Sequence, residues 1–234
     1  MNTERILTYL TDLEQNNCRE WYHAHKEEYK AAGAEFEELI RELILRIGST
    51  DTSILHNEPK DLTFRLTRDT RFSHDKSPYN PAFRAHIAPM GKLPVPVGYY
   101  LMIKPGGSSF LGGGLFADMF KEATSMIREY IADHPEQWEA LITDRDFTKY
   151  FTVSGTSLKN VPAGYDKTHP QAEYLKYKSW YLEYPVSDEL IRSADDFLDL
   201  AEDVFTKMQP FNRFLNTALR DSKCPGNLEF IRFP

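Results

Sequence analysis

Cysteine is nearly missing from this chain: Cys18 and Cys224 stand near opposite ends of 234 residues. No C-x-x-C spacing occurs, which argues against a disulfide framework and a cysteine-based zinc site, and two free thiols are expected. Long apolar runs are missing too. None approaches the ~18 residues a membrane span needs, and residues 1–13 are charged and amphipathic where a signal peptide would be apolar. A cytoplasmic location with no membrane partner is the expectation. Positive charge is in short supply, because 28 Lys and Arg face 35 Asp and Glu, for a net charge of −7 and a pI near 5.5. That balance weighs against the broad phosphate-backbone footprint of a nucleic-acid-binding domain. There is no G-x-S-x-G elbow, H-E-x-x-H helix, P-loop or dinucleotide glycine spacing, and no repeat or low-complexity tract. No cofactor or metal is therefore expected, and enzymatic activity is left open.

What is present is concentrated between Asp61 and Pro81, in DLTFRLTRDTRFSHDKSPYNP. Leu62, Phe64 and Leu66 alternate with Thr63, Arg65 and Thr67, which predicts a half-buried strand with Arg65 on its wet face. Arg68, Asp69, Arg71, Asp75 and Lys76 follow, and Pro78 and Pro81 bracket Tyr79. From Arg65 to Lys76 four cations meet two anions, a surplus of +2, so the rest of the chain carries −9. A cationic island on an acidic protein marks a place where something binds.

Around it the chain reads as helices, then strands, then helices. Ile6, Leu7, Leu10 and Leu13 share one face of a helix over residues 3–15. Asn16 or Asn17 can cap a long second helix, whose apolar pattern runs from Tyr29 to Ile47 and ends at Gly48. His23 and His25, two apart, point to different helix faces and cannot share a metal. Strands are expected over residues 83–87, 99–104 and 110–115, the last two joined by a type II turn at Pro105-Gly106-Gly107. A helix is expected over residues 118–133 with Asp118 as its cap, and short ones over 135–143 and 146–151. The aromatic segment from Tyr174 to Tyr184 finishes a helix and enters a strand. Ser187 caps a periodic helix that Pro210 breaks, with a last helix over 211–221 and a tail ending in Phe233-Pro234. This order predicts a single α+β domain over residues 1–234, an antiparallel or mixed sheet flanked by N-terminal and C-terminal amphipathic helices.

Three guanidiniums have two ways to coexist. Like charges ~5 Å apart repel by roughly 3 kcal/mol at an effective dielectric near 20, so Arg65, Arg68 and Arg71 converge only among anions. Asp69 and Asp75 can supply them internally, making a structural ion-pair network on an interaction or scaffold protein. Alternatively the surplus faces a small phosphate- or carboxylate-bearing ligand that the arginine fork grips bidentately, with Lys76 beside it and Tyr79 and the run Gly112, Gly113, Gly114 shaping the pocket. Three consecutive glycines forgo about 1.5–3 kcal/mol against alanine, so either a ligand or a closely packed neighbour must use the bare backbone. If there is chemistry, His74 or Asp75 would move the proton. His86, Asp166 and His169 are further candidates, with Asp166 and His169 better suited to building a turn. The aromatics interleaved with Lys176 and Lys178 read as core rather than as a base-stacking platform.

The whole pattern resembles the widespread bacterial domain-of-unknown-function family 2461. The residues that carry the resemblance are Asn17 with Arg19-Glu20-Trp21, Phe64-Arg65, Arg68-Asp69, Arg71-Phe72-Ser73, Asp75-Lys76 and Pro78-Tyr79. It continues through Gly98-Tyr99-Tyr100, Pro105-Gly106-Gly107, the glycine run, Gly164-Tyr165-Asp166, His169-Pro170, and Lys176 with Lys178. The resemblance implies a shared fold and a shared site but names no reaction, substrate or cofactor.

Overall fold

A computed structural model describes residues 1–116 and 120–220. In chain order its elements are α1 (Thr3–Gln15), α2 (Arg19–Ala24), α3 (Lys26–Gly48), α4 (Pro59–Leu62), β1 (Phe83–Ile87), β2 (Tyr99–Ile103), β3 (Ser109–Leu115), α5 (Lys121–Asp133), α6 (Pro135–Ile142), α7 (Arg145–Tyr150), α8 (Ala172–Leu175), β4 (Trp180–Val186), α9 (Asp188–Arg192) and α10 (Ala194–Ala218). The four strands form one antiparallel sheet in the order β1-β2-β3-β4, so the fold is α+β. No helix among the described residues is long and apolar enough to cross a membrane.

The described residues fall into two compact units. The first comprises Met1–Ile87, Tyr100–Leu111 and Pro185–Asp203; the second comprises Ala88–Tyr99, Gly112–Tyr184 and the chain from Val204 onward. In the first, the predicted stripe of α1 (Ile6, Leu7, Leu10, Leu13) is buried, as are Phe36, Leu39, Ile40, Leu43, Ile44 and Ile47 of α3. Each such side chain contributes roughly 1.5–3 kcal/mol by leaving water. The β2–β3 turn lies in this unit too. Gly106 sits at φ 77° as a type II turn requires, Gly107 is also left-handed at 67°, and the Asp188 carboxylate accepts from both amides at 2.8 and 3.1 Å.

The second unit packs Trp138, Trp180, Phe205 and Phe211 in its core. Arg128, 8% exposed, clips two carbonyls there, donating to Leu175 and Tyr177 at 2.7 Å each. Asn216 bonds both the amide and the carbonyl of Val97, at 2.8 and 2.9 Å, and so fastens a proline-rich loop to α10.

Several sequence expectations are corrected. Residues 62–67 are not a regular strand: Pro59 opens a single helical turn that Leu62 closes, and the chain beyond is extended but pairs only through isolated bridges, Thr63 with Ala85 and Thr67 with Tyr79. The second helix is two, α2 and α3, interrupted at His25, and neither Asn16 nor Asn17 caps it; Cys18 holds that position without a side-chain bond. Ser187 does cap, with its Oγ accepting from the Leu190 amide at 3.3 Å, but α9 lasts little more than one turn before α10 begins. Pro210 lies inside α10 instead of ending it. Burial of Phe205, Met208, Phe211 and Leu215 on both sides of the proline outweighs the ~3 kcal/mol it costs a helix interior. Asp118, Asp221, Cys224 and the Phe233-Pro234 tail lie outside the described residues.

Candidate functional site

The Thr67–Tyr79 bridge closes a loop in the first unit that carries most of the predicted cations. Its base is doubly held, because the Arg68 amide donates to the Pro78 carbonyl at 2.9 Å and the Asn80 amide to the Leu66 carbonyl at 2.7 Å. Asn17 reinforces it from the N-terminal helices. Its side-chain amide donates to the Tyr79 carbonyl at 2.9 Å while its Oδ1 accepts from the Tyr79 amide at 3.1 Å, so one side chain pairs with a peptide as a neighbouring strand would. Sequence reading spent Asn17 on a helix cap and missed this.

Behind the loop lies a cluster of tyrosines. The Tyr79 ring stacks on Tyr22 with centroids 4.2 Å apart, Tyr22 meets Tyr29 at 5.3 Å, and Tyr29 meets Tyr9 at 5.9 Å. Burial, aided by the neighbouring Tyr29, pushes the Tyr22 hydroxyl up to about 12 from its ordinary 10.0. Burial likewise pushes Tyr9 well above the ordinary tyrosine range. Between pH 10 and about 12 the folded chain keeps the Tyr22 proton that the unfolded chain loses, so this contribution to stability is complete below pH 10 and lost across that window. Tyr22→Phe is expected to flatten the alkaline fall in the urea midpoint, measured from about pH 9 upward. An unchanged profile would assign the fall to other groups.

On the loop the charges sort themselves. Arg68 pairs with Asp75 and also reaches the Ser77 carbonyl at 3.3 Å and Ser73 Oγ at 3.5 Å. Arg71 forks onto Asp69, Nε to Oδ1 at 3.0 Å and Nη2 to Oδ2 at 2.7 Å. Lys76 Nζ donates to the Thr70 carbonyl at 2.9 Å and has no carboxylate partner among the described residues. The Arg65 side chain is exposed and makes no hydrogen bond or ion pair among the described residues. Two cations of the four are thus neutralised internally and two are not.

A fifth cation joins them that sequence reading passed over. Arg84 on β1 donates from Nη2 to the Arg65 carbonyl at 3.0 Å, lies over the Phe64 ring at 5.7 Å, and pairs with no carboxylate among the described residues. Pairing the 62–67 segment with the 83–87 strand on paper would have found it, since the Phe64 amide donates to the Arg84 carbonyl at 3.0 Å.

Of the predicted proton-transfer groups, His74 is exposed, with no hydrogen bond among the described residues. Asp75 is engaged: bonds from Ser77 and then from Arg68 hold its carboxyl well below the usual carboxylate range, which makes it a weak base. His86 is buried on β1.

The glycine run lies in the second unit. A Cβ on Gly113 would come within 3.0 Å of Met208 Sδ, and one on Gly114 within 2.4 Å of the Trp180 carbonyl oxygen, so the protein's own atoms use the bare backbone there. Asp166 and His169, also in the second unit, build a turn: Asp166 accepts from the Thr168 amide at 2.8 Å, and His169 joins the Ala132 carbonyl at 3.1 Å. Among the described residues no three His, Cys, Asp or Glu side chains gather as a metal site.

The loop lies within a match to the family model described as a conserved hypothetical protein (DUF2461), which spans residues 5–214 of the 234. The chain belongs to the DUF2461 family. Comparison with curated proteins and with solved structures found no match. The match to DUF2461 takes in Asn17, Arg65 and Arg84 but assigns them no role.

Proposed function

We propose that this DUF2461 chain binds a small phosphate- or carboxylate-bearing anion at the loop, through Arg65, Arg68, Arg71 and Lys76, with Arg84 as a fifth cation. The observation that carries the reading is the mismatch in charge: Arg68 and Arg71 have carboxylate partners, whereas Arg65, Lys76 and Arg84 have none among the described residues. Arg84 is anchored at the Arg65 backbone carbonyl and lies over the Phe64 ring, which sets an unneutralised cation beside the segment that carries Arg65. An anion supplies the missing counter-charge and accepts paired hydrogen bonds from an arginine fork. An enzyme acting on that anion would draw its proton-transfer group from His74, because Asp75 is already committed to Arg68 and Ser77.

Inorganic phosphate, titrated by calorimetry and by thermal shift, tests the reading. At a hundred times its Kd a ligand of the folded state adds about 2.7 kcal/mol to stability. Arg65→Glu is expected to abolish the phosphate response and leave the ligand-free melting temperature nearly unchanged, because the side chain it replaces is exposed and unpaired. No response of the parent chain in tens of millimolar phosphate would sink the proposal. The second reading, a structural network on an interaction protein, is favoured by the Arg68–Asp75 and Arg71–Asp69 pairs. It expects Arg68→Ala to lower the melting temperature with no change in any ligand response.

A further inference from the structure

We infer that the anion recognised at this loop carries a planar base, so that the ligand class is a nucleotide rather than a bare phosphate or an organic acid. The inference rests on the anion-binding reading above and adds to it the chemistry of Phe72. That ring is 81% exposed, the most exposed large apolar side chain among the described residues, where the next reach 58%. A phenylalanine free to move would fold back on its loop, but this loop is fastened around it. Arg68 reaches Ser73 Oγ, the residue after Phe72, and Lys76 Nζ holds the carbonyl of Thr70, two residues before it. The Ser77 amide closes on Asp75 at 2.9 Å, and the Thr67–Tyr79 bridge seals the base. Phe72 is therefore presented to solvent by a loop that is already ordered, and ligand binding would incur little further ordering cost.

The guanidinium of Arg71 lies 5.9 Å from the Phe72 centroid, held there by its fork onto Asp69, and it addresses one face of the ring. The opposite face offers a stacking surface of the kind that single bases use on aromatic side chains. One ring serves one base. Lys76, without a carboxylate, and the Arg68 guanidinium are tied to residues within two positions of the ring, where a phosphate attached to that base would meet them. A long single strand is disfavoured, because outside residues 65–76 the chain carries −9.

AMP and ribose 5-phosphate carry the same phosphate and differ by the base, which makes them the discriminating pair of probes. Calorimetry on the parent chain is expected to give AMP the tighter binding by on the order of tenfold. Phe72→Ala should bring AMP down to the level of ribose 5-phosphate without moving the latter, and Phe72→Trp should retain AMP and show quenching of the new indole. The exposed position makes both variants safe for folding. Equal binding of the two probes, or indifference of AMP to Phe72→Ala, overturns the nucleotide inference while leaving the anion site standing. Failure of the parent chain to bind either probe removes both.

Discussion

Gly114→Ala is expected to destabilise the chain by about 2–6 kcal/mol, read as a fall in the urea midpoint at unchanged slope. Two separate costs add at this position. Its φ of 97° lies where a side chain is strained, at roughly 1–3 kcal/mol. A Cβ would also stand 2.4 Å from the Trp180 carbonyl oxygen and 2.7 Å from the Phe211 ring, and the first of these is backbone that cannot rotate aside. Overpacking of that kind costs roughly 1–3 kcal/mol more. Gly33→Ala is the matched control. It sits within α3 with nothing inside 4 Å of its would-be Cβ, so alanine there should add about 0.5–1 kcal/mol from helix propensity. Should Gly114→Ala unfold within about 0.5 kcal/mol of the parent, Gly114 is not closely packed against Trp180 and Phe211.

The second large effect is at Asn17. Asn17→Ala removes both partners of the Tyr79 peptide, and each partly buried backbone group left unmatched costs about 1–3 kcal/mol less what water recovers. We expect a net loss of about 2–3 kcal/mol. The loss should be local as well as global: hydrogen exchange at the amides of Arg68 and Asn80, which close the loop base, should quicken more than exchange in α1 or α3. If anion binding depends on an ordered loop, phosphate affinity falls in Asn17→Ala even though the residue carries no charge. Asn17→Asp keeps the acceptor for the Tyr79 amide but sets an oxygen against its carbonyl, and should rescue neither property. Unchanged exchange at both amides would show that Asn17 does not clamp the loop.

The segment around Arg65 shows how reading and structure divide. Its alternation was legible, since Leu62 and Leu66 are buried and Arg65 is exposed, but a continuous ladder was not there to be found. Alternation reports which face is wet; pairing depends on a partner and on whether Pro59 has already turned the chain into a helix. Arg84 went unnoticed for the same reason. Its relevance comes from lying across from Phe64, a relation between residues twenty apart that no local period encodes. Asn17 was legible as a capping residue type, and the amide group serves equally well to cap a helix end or to pair with a distant peptide.

Composition and periodicity were enough for the α+β class, the buried stripes of α1 and α3, the β2–β3 hairpin and the cationic island, because each depends on which residues stand within a few positions of one another. They were not enough for the continuation of α10 through Pro210, the backbone atoms that fill the space over Gly114, or the allotment of Asp69 and Asp75 to particular arginines. The first two outcomes are set by burial brought together from far along the chain, and the third by how the loop between Thr67 and Tyr79 folds on itself. A local penalty of a few kcal/mol yields to such contacts, and an ion pair goes to whichever partner the fold places within reach.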